Sequence, residues 1–225
     1  MKIPMHIAII LDGNRRYAKK IGRPSAYGHQ KGFDKIKDLL QWSIDLGIKE
    51  VTLYCFSTEN FKRDKKEVDY LFSLFRKQFE NFSKEDVIHK NKVRINVIGR
   101  LSMFPKDMQA KMKEIMQKTK KYDKYKLNFA LAYGGRAELV DAVKKIISKK
   151  IKKIDEKTIL NNLYLKEEPD LLIRPGGEKR ISNFLIYQMA YSEMIFIDKM
   201  WPEFSKKDLK KCIKEYGKRE RREGK

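Results

Sequence analysis

The chain has 225 residues, 41% of them hydrophobic, and a formal charge of +22. This length and composition suit an α/β fold with one core, and predict a single domain over residues 1–225. No apolar run approaches the roughly 18 to 20 residues needed to cross a bilayer, and the short apolar start leads directly into polar residues, which excludes a secretory signal. Two cysteines make no disulfide framework and favour the cytoplasm.

The charge leaves three anionic partners to consider: nucleic acid, an acidic membrane surface and a phosphorylated substrate. Lysine is spread through nearly every predicted helix, which is typical of a solvated surface. Arginine, the better bidentate ligand of phosphate, is concentrated beside glycine and asparagine turns: Arg15, Arg16, Arg63, Arg136, Arg174 and Arg180. We therefore expect a phosphorylated substrate and no nucleic acid, with weak attraction to acidic lipid head groups.

A buried strand is predicted over residues 6–11, and a basic helix follows it. An acid, a glycine, an asparagine and two arginines lie between strand and helix: Asp12, Gly13, Asn14, Arg15 and Arg16. Helix amides and guanidinium groups suit phosphate oxygens. Because a bare carboxylate would repel such a ligand, Asp12 indicates a divalent cation such as Mg2+. The alternative is an ordinary turn and helix cap beside a solvated basic face.

The next stretch, residues 21–28, is predicted to be a mobile loop, and residues 29–46 a helix. A second buried strand over residues 50–56 ends in another polar cluster: Ser57, Thr58, Glu59 and Asn60. Ligands of open parallel sheets collect beyond the carboxyl ends of the strands. The first two polar clusters are therefore expected to share one crevice.

The helix predicted over residues 66–82 carries phenylalanines at steps of three and four: Phe72, Phe75, Phe79 and Phe82. Core packing is the usual explanation of such a face. The alternative is that the face lines a cavity for a long hydrocarbon ligand.

Further strands are predicted at 93–99, 127–133, 170–173 and 194–197, with helices at 105–121, after residue 136, at 181–191 and at the C-terminus. This alternation predicts a parallel sheet with helices on both faces. A third polar cluster follows the strand at 170–173: Arg174, Gly176, Gly177, Arg180 and Ser182. It suits a second diphosphate, with Ser182 capping the next helix, although a turn with incidental charge is the alternative.

Together these motifs closely resemble the cis-prenyltransferases, the undecaprenyl diphosphate synthase family. The match runs in the family's order through nearly the whole chain. Its motifs are Leu11-Asp12-Gly13-Asn14-x-Arg16, Thr52-Leu53-Tyr54-x-Phe56-Ser57-x-Glu59-Asn60-Phe61, Tyr133-Gly134-Gly135-Arg136, Asp170-Leu171-Leu172-Ile173-Arg174, Gly177-Glu178-x-Arg180-x-Ser182-Asn183-Phe184 and Trp201-Pro202.

The resemblance implies Mg2+-dependent condensation of isopentenyl diphosphate onto an allylic diphosphate of the farnesyl or geranylgeranyl type, with a cis double bond formed at each addition. It also implies a twisted, mostly parallel six-stranded sheet with a hydrophobic tunnel, and a homodimer that is cytoplasmic with peripheral membrane contact. The family's usual product is a long-chain polyprenyl diphosphate, the precursor of a glycosyl carrier lipid.

The resemblance also assigns roles to residues. Asp12 and Asn60 would be catalytic, and Asp12 and Glu193 would hold Mg2+. The substrate-binding set comprises Gly13, Asn14, Arg15, Arg16, Tyr17, His29, Ser57, Thr58, Glu59, Phe61, Arg63, Arg174, Arg180, Ile181 and Ser182.

The sequence departs from the family pattern at four positions. Tyr17 replaces a Trp or Phe, Pro175 a Thr, Lys179 a histidine near the metal, and Ser25 an arginine. Two alternatives to an active enzyme stay open. One is a catalytically silent partner subunit, which the intact site residues oppose, and the other is a basic nucleic-acid-binding protein.

Overall fold

The computed structural model describes residues 2–82 and 84–219. The two ends of the predicted 1–225 domain therefore lie outside the described residues. Within them, no helix is both long and apolar enough to cross a membrane.

Six strands form one sheet in which every neighbouring pair is parallel. They are β1 (His6–Ile10), β2 (Glu50–Ser57), β3 (Val93–Ile98), β4 (Tyr125–Tyr133), β5 (Leu171–Pro175) and β6 (Glu193–Ile197). Their order across the sheet is β3-β4-β2-β1-β5-β6. The predicted α/β class with a six-stranded sheet is confirmed.

Eight α-helices accompany the sheet in the described part of the chain. They are α1 (Asn14–Lys20), α2 (Ser25–Asp45), α3 (Lys65–Phe82), α4 (Asp86–Lys90), α5 (Lys106–Lys118), α6 (Gly135–Ser148), α7 (Glu156–Asn162) and α8 (Lys206–Tyr216). Short 3-10 turns occupy Thr58–Lys62, Leu101–Met103 and Trp201–Glu203. Two short helices, α4 and α7, were not predicted from the sequence.

The core has two parts because successive side chains of a strand point to opposite faces of the sheet. Ile7 and Ile9 of β1 belong to a large cluster with apolar residues of α2, α3, α5 and α8. Ala8 and Ile10 belong to a smaller cluster that includes Tyr54 and Phe184. All five residues of β1 are buried, as expected for a central strand covered on both faces.

The parallel order brings the chain segments after the strands to one end of the sheet, here called the carboxyl end. Ile10 of β1 lies beside Tyr54 of β2, and Ile9 lies beside Ile173 of β5. Asp12 and Arg174 therefore emerge from neighbouring strands. The opposite end, where the strands begin, is called the amino end.

Two sequence predictions about local structure are wrong. The loop predicted over residues 21–28 is shorter, because α2 begins at Ser25 directly after Pro24. The fixed φ of proline suits the entry to a helix. The helix predicted over residues 181–191 is a series of turns instead. Ser182, Asn183 and Leu185 have φ angles of 50°, 63° and 41°, which a right-handed helix cannot contain, so Ser182 caps no helix.

Candidate active site

Asp12 is held between two guanidinium groups that come from distant parts of the sequence. Its Oδ1 accepts a hydrogen bond from Arg16 Nη2 at 3.0 Å, and its Oδ2 accepts one from Arg174 Nη2 at 2.8 Å. The Arg174 side chain is 4% exposed, whereas that of Arg16 is 44% exposed. The surrounding fold therefore holds Arg174 in place, while Arg16 also reaches solvent.

The ionisation of Asp12 follows from these two contacts. Burial alone would raise the pKa of this carboxyl group, but the hydrogen bonds and positive charges of Arg174 and Arg16 outweigh burial and hold its pKa below the ordinary value. Asp12 is therefore an anion at neutral pH. A carboxylate in that state is a suitable oxygen ligand for Mg2+.

Two glycines allow the chain to turn closely around Asp12 and Arg16. Gly13 has a φ of 102°, and a Cβ there would lie 2.9 Å from Met200 Cβ. Gly176 has a φ of 98°, and a Cβ there would lie 2.8 Å from Arg16 Nη2. Arg16 Nη1 instead donates to the Gly176 carbonyl oxygen at 2.7 Å. Both positions require glycine because of backbone conformation and space.

Arg174 also organises the third polar cluster. Its Nη1 donates to Ser182 Oγ at 2.9 Å and to the carbonyl oxygen of Arg180. Its Nε is buried and has no hydrogen-bond partner among residues 2–82 and 84–219. The Arg180 guanidinium group is exposed and pairs with Glu178 at 2.5 Å, so it does not contact Asp12. The structure thus brings Arg174 to Asp12 directly and Arg180 only to the same cavity.

Asn183, which the sequence reasoning did not assign to the site, holds this cluster against the start of α6. Its carbonyl oxygen accepts from Gly135 N at 2.7 Å, and its Oδ1 accepts from Arg136 N at 2.9 Å. Tyr54 adds a bond from its hydroxyl group to the Ser182 carbonyl oxygen at 3.3 Å. These contacts engage backbone groups of residues that have left-handed conformations. They therefore explain why residues 181–191 form turns. The Gly-Gly-Arg motif was the only sequence signal for them.

The second polar cluster forms a compact capping arrangement. Ser57 N donates to Asn60 Oδ1 at 3.0 Å, and the two residues form a capping box around the turn at Thr58–Lys62. The Asn60 amide oxygen is therefore occupied by the backbone. An amide is already a poor proton acceptor, so this geometry favours an orienting role over a basic one.

Glu67 and three basic side chains form a separate charged group that joins α1, α2 and α3. Glu67 Oε1 accepts from Arg63 Nη1 at 3.0 Å and lies 3.2 Å from His29 Nε2, and Glu67 Oε2 lies 3.9 Å from Arg15 Nη1. Burial lowers the pKa of His29, and the Glu67 carboxylate opposes that lowering. The sequence prediction named Arg15, His29 and Arg63 but missed Glu67, because a single glutamate in a charged helix gives no distinctive pattern.

A cavity of about 1060 Å³ opens among these groups. Most of the predicted site residues line it: Asp12, Gly13, Asn14, Arg15, Arg16, His29, Ser57, Glu59, Asn60, Arg63, Arg174, Arg180 and Ser182. Its other lining residues include apolar side chains, among them Phe33, Phe56 and Leu71. The cavity therefore combines a cationic wall with an apolar wall, as a ligand with an anionic head and a hydrocarbon tail requires.

Five predicted site residues do not line this cavity: Tyr17, Thr58, Phe61, Ile181 and Glu193. Phe61 packs against Phe56, with ring centroids 4.9 Å apart. Ile181 packs against the smaller core cluster. Both residues therefore pack beside the cavity without lining it, and their predicted substrate-binding roles stay predictions.

Glu193 lies away from Asp12 in this chain. It is the first residue of β6, beside Leu171 at the amino end of the sheet, and its Oε2 accepts from Arg219 Nη1 at 2.7 Å. Asp12 follows the carboxyl end of β1, so strand direction separates the two carboxylates and they do not form one metal site within the chain. Among the described residues there is no group of three or more His, Cys, Asp or Glu side chains placed to hold a metal. Asp12 alone fits Mg2+, which proteins often bind through one carboxylate together with substrate phosphates.

Comparisons with known proteins agree with this geometry. The family model for undecaprenyl diphosphate synthases matches residues 10–224. A tritrans,polycis-undecaprenyl-diphosphate synthase of Pyrococcus horikoshii, described as geranylgeranyl-diphosphate specific, is 50% identical over 99% of this chain and 87% of its own length. An isoprenyl transferase of Thermotoga maritima is 44% identical, with 100% and 98% of the two chains covered.

A solved structure has the same fold. Lavandulyl diphosphate synthase from Lavandula x intermedia, in complex with dimethylallyl diphosphate, superposes with a TM-score of 0.95 and 34% identity over 99% of both chains.

Proposed function

The chain belongs to the undecaprenyl diphosphate synthase family and is a cis-prenyltransferase, and we propose that it extends an allylic diphosphate by repeated Mg2+-dependent condensation with isopentenyl diphosphate. We propose geranylgeranyl diphosphate as the preferred primer, because the Pyrococcus horikoshii relative is named as specific for it. The proposed product is a long-chain polyprenyl diphosphate that serves as the precursor of a glycosyl carrier lipid.

One observation carries this proposal. Asp12 is bonded to Arg16 on one side and to Arg174 on the other, at 3.0 and 2.8 Å. Arg16 belongs to the motif after β1, and Arg174 to the cluster that follows β5. Two anion-binding clusters therefore meet at one ionised carboxylate, at the mouth of a cavity with an apolar wall. That arrangement suits two diphosphates whose hydrocarbon parts must react with each other.

In the proposed mechanism, Arg15, Arg16 and Arg63 hold the diphosphate of the allylic primer, and Arg174, Arg180 and Ser182 hold that of isopentenyl diphosphate. Mg2+, bound through Asp12, would supply positive charge to the leaving diphosphate. The guanidinium groups stabilise the negative charge that develops as the allylic carbon–oxygen bond breaks and its electron pair leaves with the diphosphate.

The new bond forms between the allylic carbon and the double bond of isopentenyl diphosphate, which then loses a proton. Asn60 orients the incoming unit, and the departing diphosphate accepts the proton, since the Asn60 oxygen is already bonded to Ser57 N. Apolar side chains such as Phe33 and Phe56 keep water away from the carbocation.

We also propose that the growing chain enters the apolar wall of the cavity beside α3. Phe75 of α3 packs edge-on against Phe33 and Phe56, at centroid distances of 5.2 and 5.9 Å. Both of those residues line the cavity. Phe75 is thus the first buried ring behind the wall and a candidate limit on product length.

The proposed assembly is a homodimer of single-domain chains in the cytoplasm, with peripheral contact to a membrane. An apolar stripe on α6 supports a protein partner, because Val140, Val143 and Ile147 are 50%, 46% and 69% exposed. Light scattering after gel filtration would show one chain per particle if this proposal is wrong.

The deciding experiment is incubation of the purified chain with labelled isopentenyl diphosphate, Mg2+ and dimethylallyl, farnesyl or geranylgeranyl diphosphate. Chromatography of the products should show long-chain material, with geranylgeranyl diphosphate used best. No elongation with any primer would refute catalysis and favour a silent partner subunit.

A further inference from the structure

Glu67 contacts three side chains of the cavity wall without lining the cavity itself. It lies in the first turn of α3, and its side chain is 15% exposed. Arg15, His29 and Arg63 all line the cavity, and the Glu67 carboxylate lies within 3.9 Å of each of them. Glu67 itself does not line it. One partly buried carboxylate thus joins three donors that come from α1, from α2 and from the turn before α3.

The contacts are arranged so that both arginines keep N–H donors for a ligand. A guanidinium group has five N–H donors in a rigid plane, so one bond from Arg63 Nη1 to Glu67 fixes that plane and leaves other donors available. The contact at His29 Nε2 likewise fixes the imidazole ring, and when Nε2–H donates to Glu67, Nδ1 of the neutral ring is an acceptor. His29 therefore helps to hold the Glu67 carboxylate in place. Flexible side chains are thereby held in place before a ligand arrives, which reduces the entropy lost on binding.

Charge gives Glu67 a second effect. Arg15 and Arg63 are cations on the same cavity wall, and Glu67 lies between them with a compensating negative charge. Its charge offsets part of the repulsion between the two guanidinium groups.

A purely structural role would tie α2 to α3. That tie exists independently of Glu67, because the Tyr70 hydroxyl group of α3 donates to the Ala26 carbonyl oxygen of α2 at 3.1 Å. The apolar faces of α2 and α3 also share the large core cluster. The helix pair therefore does not depend on Glu67 for its packing.

We propose that Glu67 is a positioning residue that, together with His29, holds Arg15 and Arg63 as a preformed receptor for one diphosphate group. This inference rests on the proposed function, since it takes the head group of the allylic substrate as the ligand. Glu67 acts only through these two arginines and does not touch the substrate.

The test is Glu67→Asp, which keeps the charge but shortens the side chain by one methylene, so that it no longer reaches all three donors. The matched control is Glu80→Asp, the same change on an exposed part of α3 whose carboxylate pairs with Lys84 and Lys111. Calorimetry with inorganic pyrophosphate gives Kd, and the elongation assay gives KM for geranylgeranyl diphosphate and kcat.

We expect Glu67→Asp to raise both Kd and KM about tenfold, because small displacements of binding groups are costly. The melting temperature and kcat should stay close to those of the control. In an Arg63→Met background the same change should have a much smaller effect than in the natural chain, because the two residues act through one network.

Unchanged Kd and KM in Glu67→Asp would overturn the inference, as would a lower melting temperature with unchanged Kd. Full additivity of the two changes would also overturn it. The pyrophosphate titration needs no turnover, so it judges Glu67 even if the natural chain elongates no primer. If the natural chain elongates a primer and Glu67→Asp changes neither Kd nor KM, this inference is refuted and the proposed function is not.

Discussion

The carboxyl and amino ends of the sheet both bury polar side chains, but in the described structure only the carboxyl end opens onto the large cavity. At the carboxyl end, Asp12 is bonded to Arg16 and Arg174, and one of these arginines is 44% exposed. At the amino end, Thr52 and Asn128 are fully buried and His6 is 5% exposed. The two ends belong to the same strands and differ in what their polar groups can still bind.

Most of the buried polar groups at the amino end bond to one another. Asn128 Nδ2 donates to Glu50 Oε1 at 2.7 Å and to Thr52 Oγ1 at 2.8 Å, and Thr52 Oγ1 also lies 2.7 Å from His6 Nε2. Such a closed network stabilises and specifies the fold, but leaves little for a ligand. Buried nitrogen atoms without a hydrogen-bond partner among the described residues occur at both ends, namely Arg174 Nε and His6 Nδ1. Burial of polar groups at strand ends therefore does not identify a site unless a cavity accompanies it.

The largest expected effect is a loss of turnover when Asp12, at the carboxyl end, is replaced. Asp12→Asn should lower turnover at least about a hundredfold, because an amide cannot provide the negative charge that a metal requires. Asparagine is preferred to alanine here, because its amide oxygen still accepts a hydrogen bond from the buried Arg174, whose charge loses its carboxylate partner in either variant. Turnover is measured with saturating primer, and circular dichroism should be unchanged. Full activity in this variant would refute the metal role of Asp12.

The second prediction concerns the apolar wall at the carboxyl end. Phe75→Leu should shift the products to longer chains, because it removes a ring from behind Phe33 and Phe56. Chromatography of the products measures the shift. Phe204→Leu is the control, because Phe204 is equally buried but, in the described structure, its ring contacts Trp201 and not Phe33, Phe56 or Phe75. The same product pattern in both variants, with lowered stability, would assign Phe75 to core packing alone.

The third prediction tests the closed network at the amino end. Thr52→Val should destabilise the chain by about 2 kcal/mol, because it removes the oxygen that accepts from Asn128 and leaves buried polar groups unpaired. Thermal denaturation should show the loss as a fall in melting temperature. The kcat and KM values should stay within about twofold, since the network is remote from the cavity. A large loss of turnover at unchanged stability would contradict the distinction between the two ends.

The smallest expected effect is a pH dependence of stability, to which His6 at the amino end contributes. Burial lowers the pKa of His6, although the nearby Glu50 carboxylate opposes that lowering. The neutral His6 ring therefore contributes its full stabilisation above the ordinary histidine pKa, and this contribution is lost as pH falls through the lower pKa of the folded state. The pKa of Asp12 is also lowered, from the lower ordinary value of a carboxyl group, so Asp12 stays ionised between pH 7 and 5. The melting temperature should therefore fall by about 2 to 4 °C over this interval.

His6→Asn tests that assignment. Its melting temperature should change less between pH 7 and 5 than that of the natural chain, while His29 still contributes in both because burial lowers its pKa too. An equal change in both proteins would remove His6 as a source of the pH dependence.

Much of the site was predictable because the carboxyl ends of parallel strands share one end of a sheet. The alternation of strands and helices predicted the sheet, and the polar residues after β1, β2 and β5 then had to meet. Asp12, Ser57 and Arg174 do lie around one cavity. Their residue types also predicted the charge of its wall, since arginine and helix amides favour anions.

Tertiary contacts decided the rest. Residues 181–191 have an apolar pattern typical of a helix, but the bonds from Asn183 to Gly135 and Arg136, about fifty positions earlier, hold them as turns. Glu193 looked like a metal ligand, yet strand direction places it at the amino end with Arg219.

No sequence pattern distinguished Glu67. Its role follows only from the fold, which places residues of α1, of α2 and of the turn before α3 around its carboxylate. Local sequence determines which segments are buried and which residues interrupt them, because those properties depend on neighbours along the chain. The partners of a charged side chain depend on distances across the fold, and only the folded chain determines them.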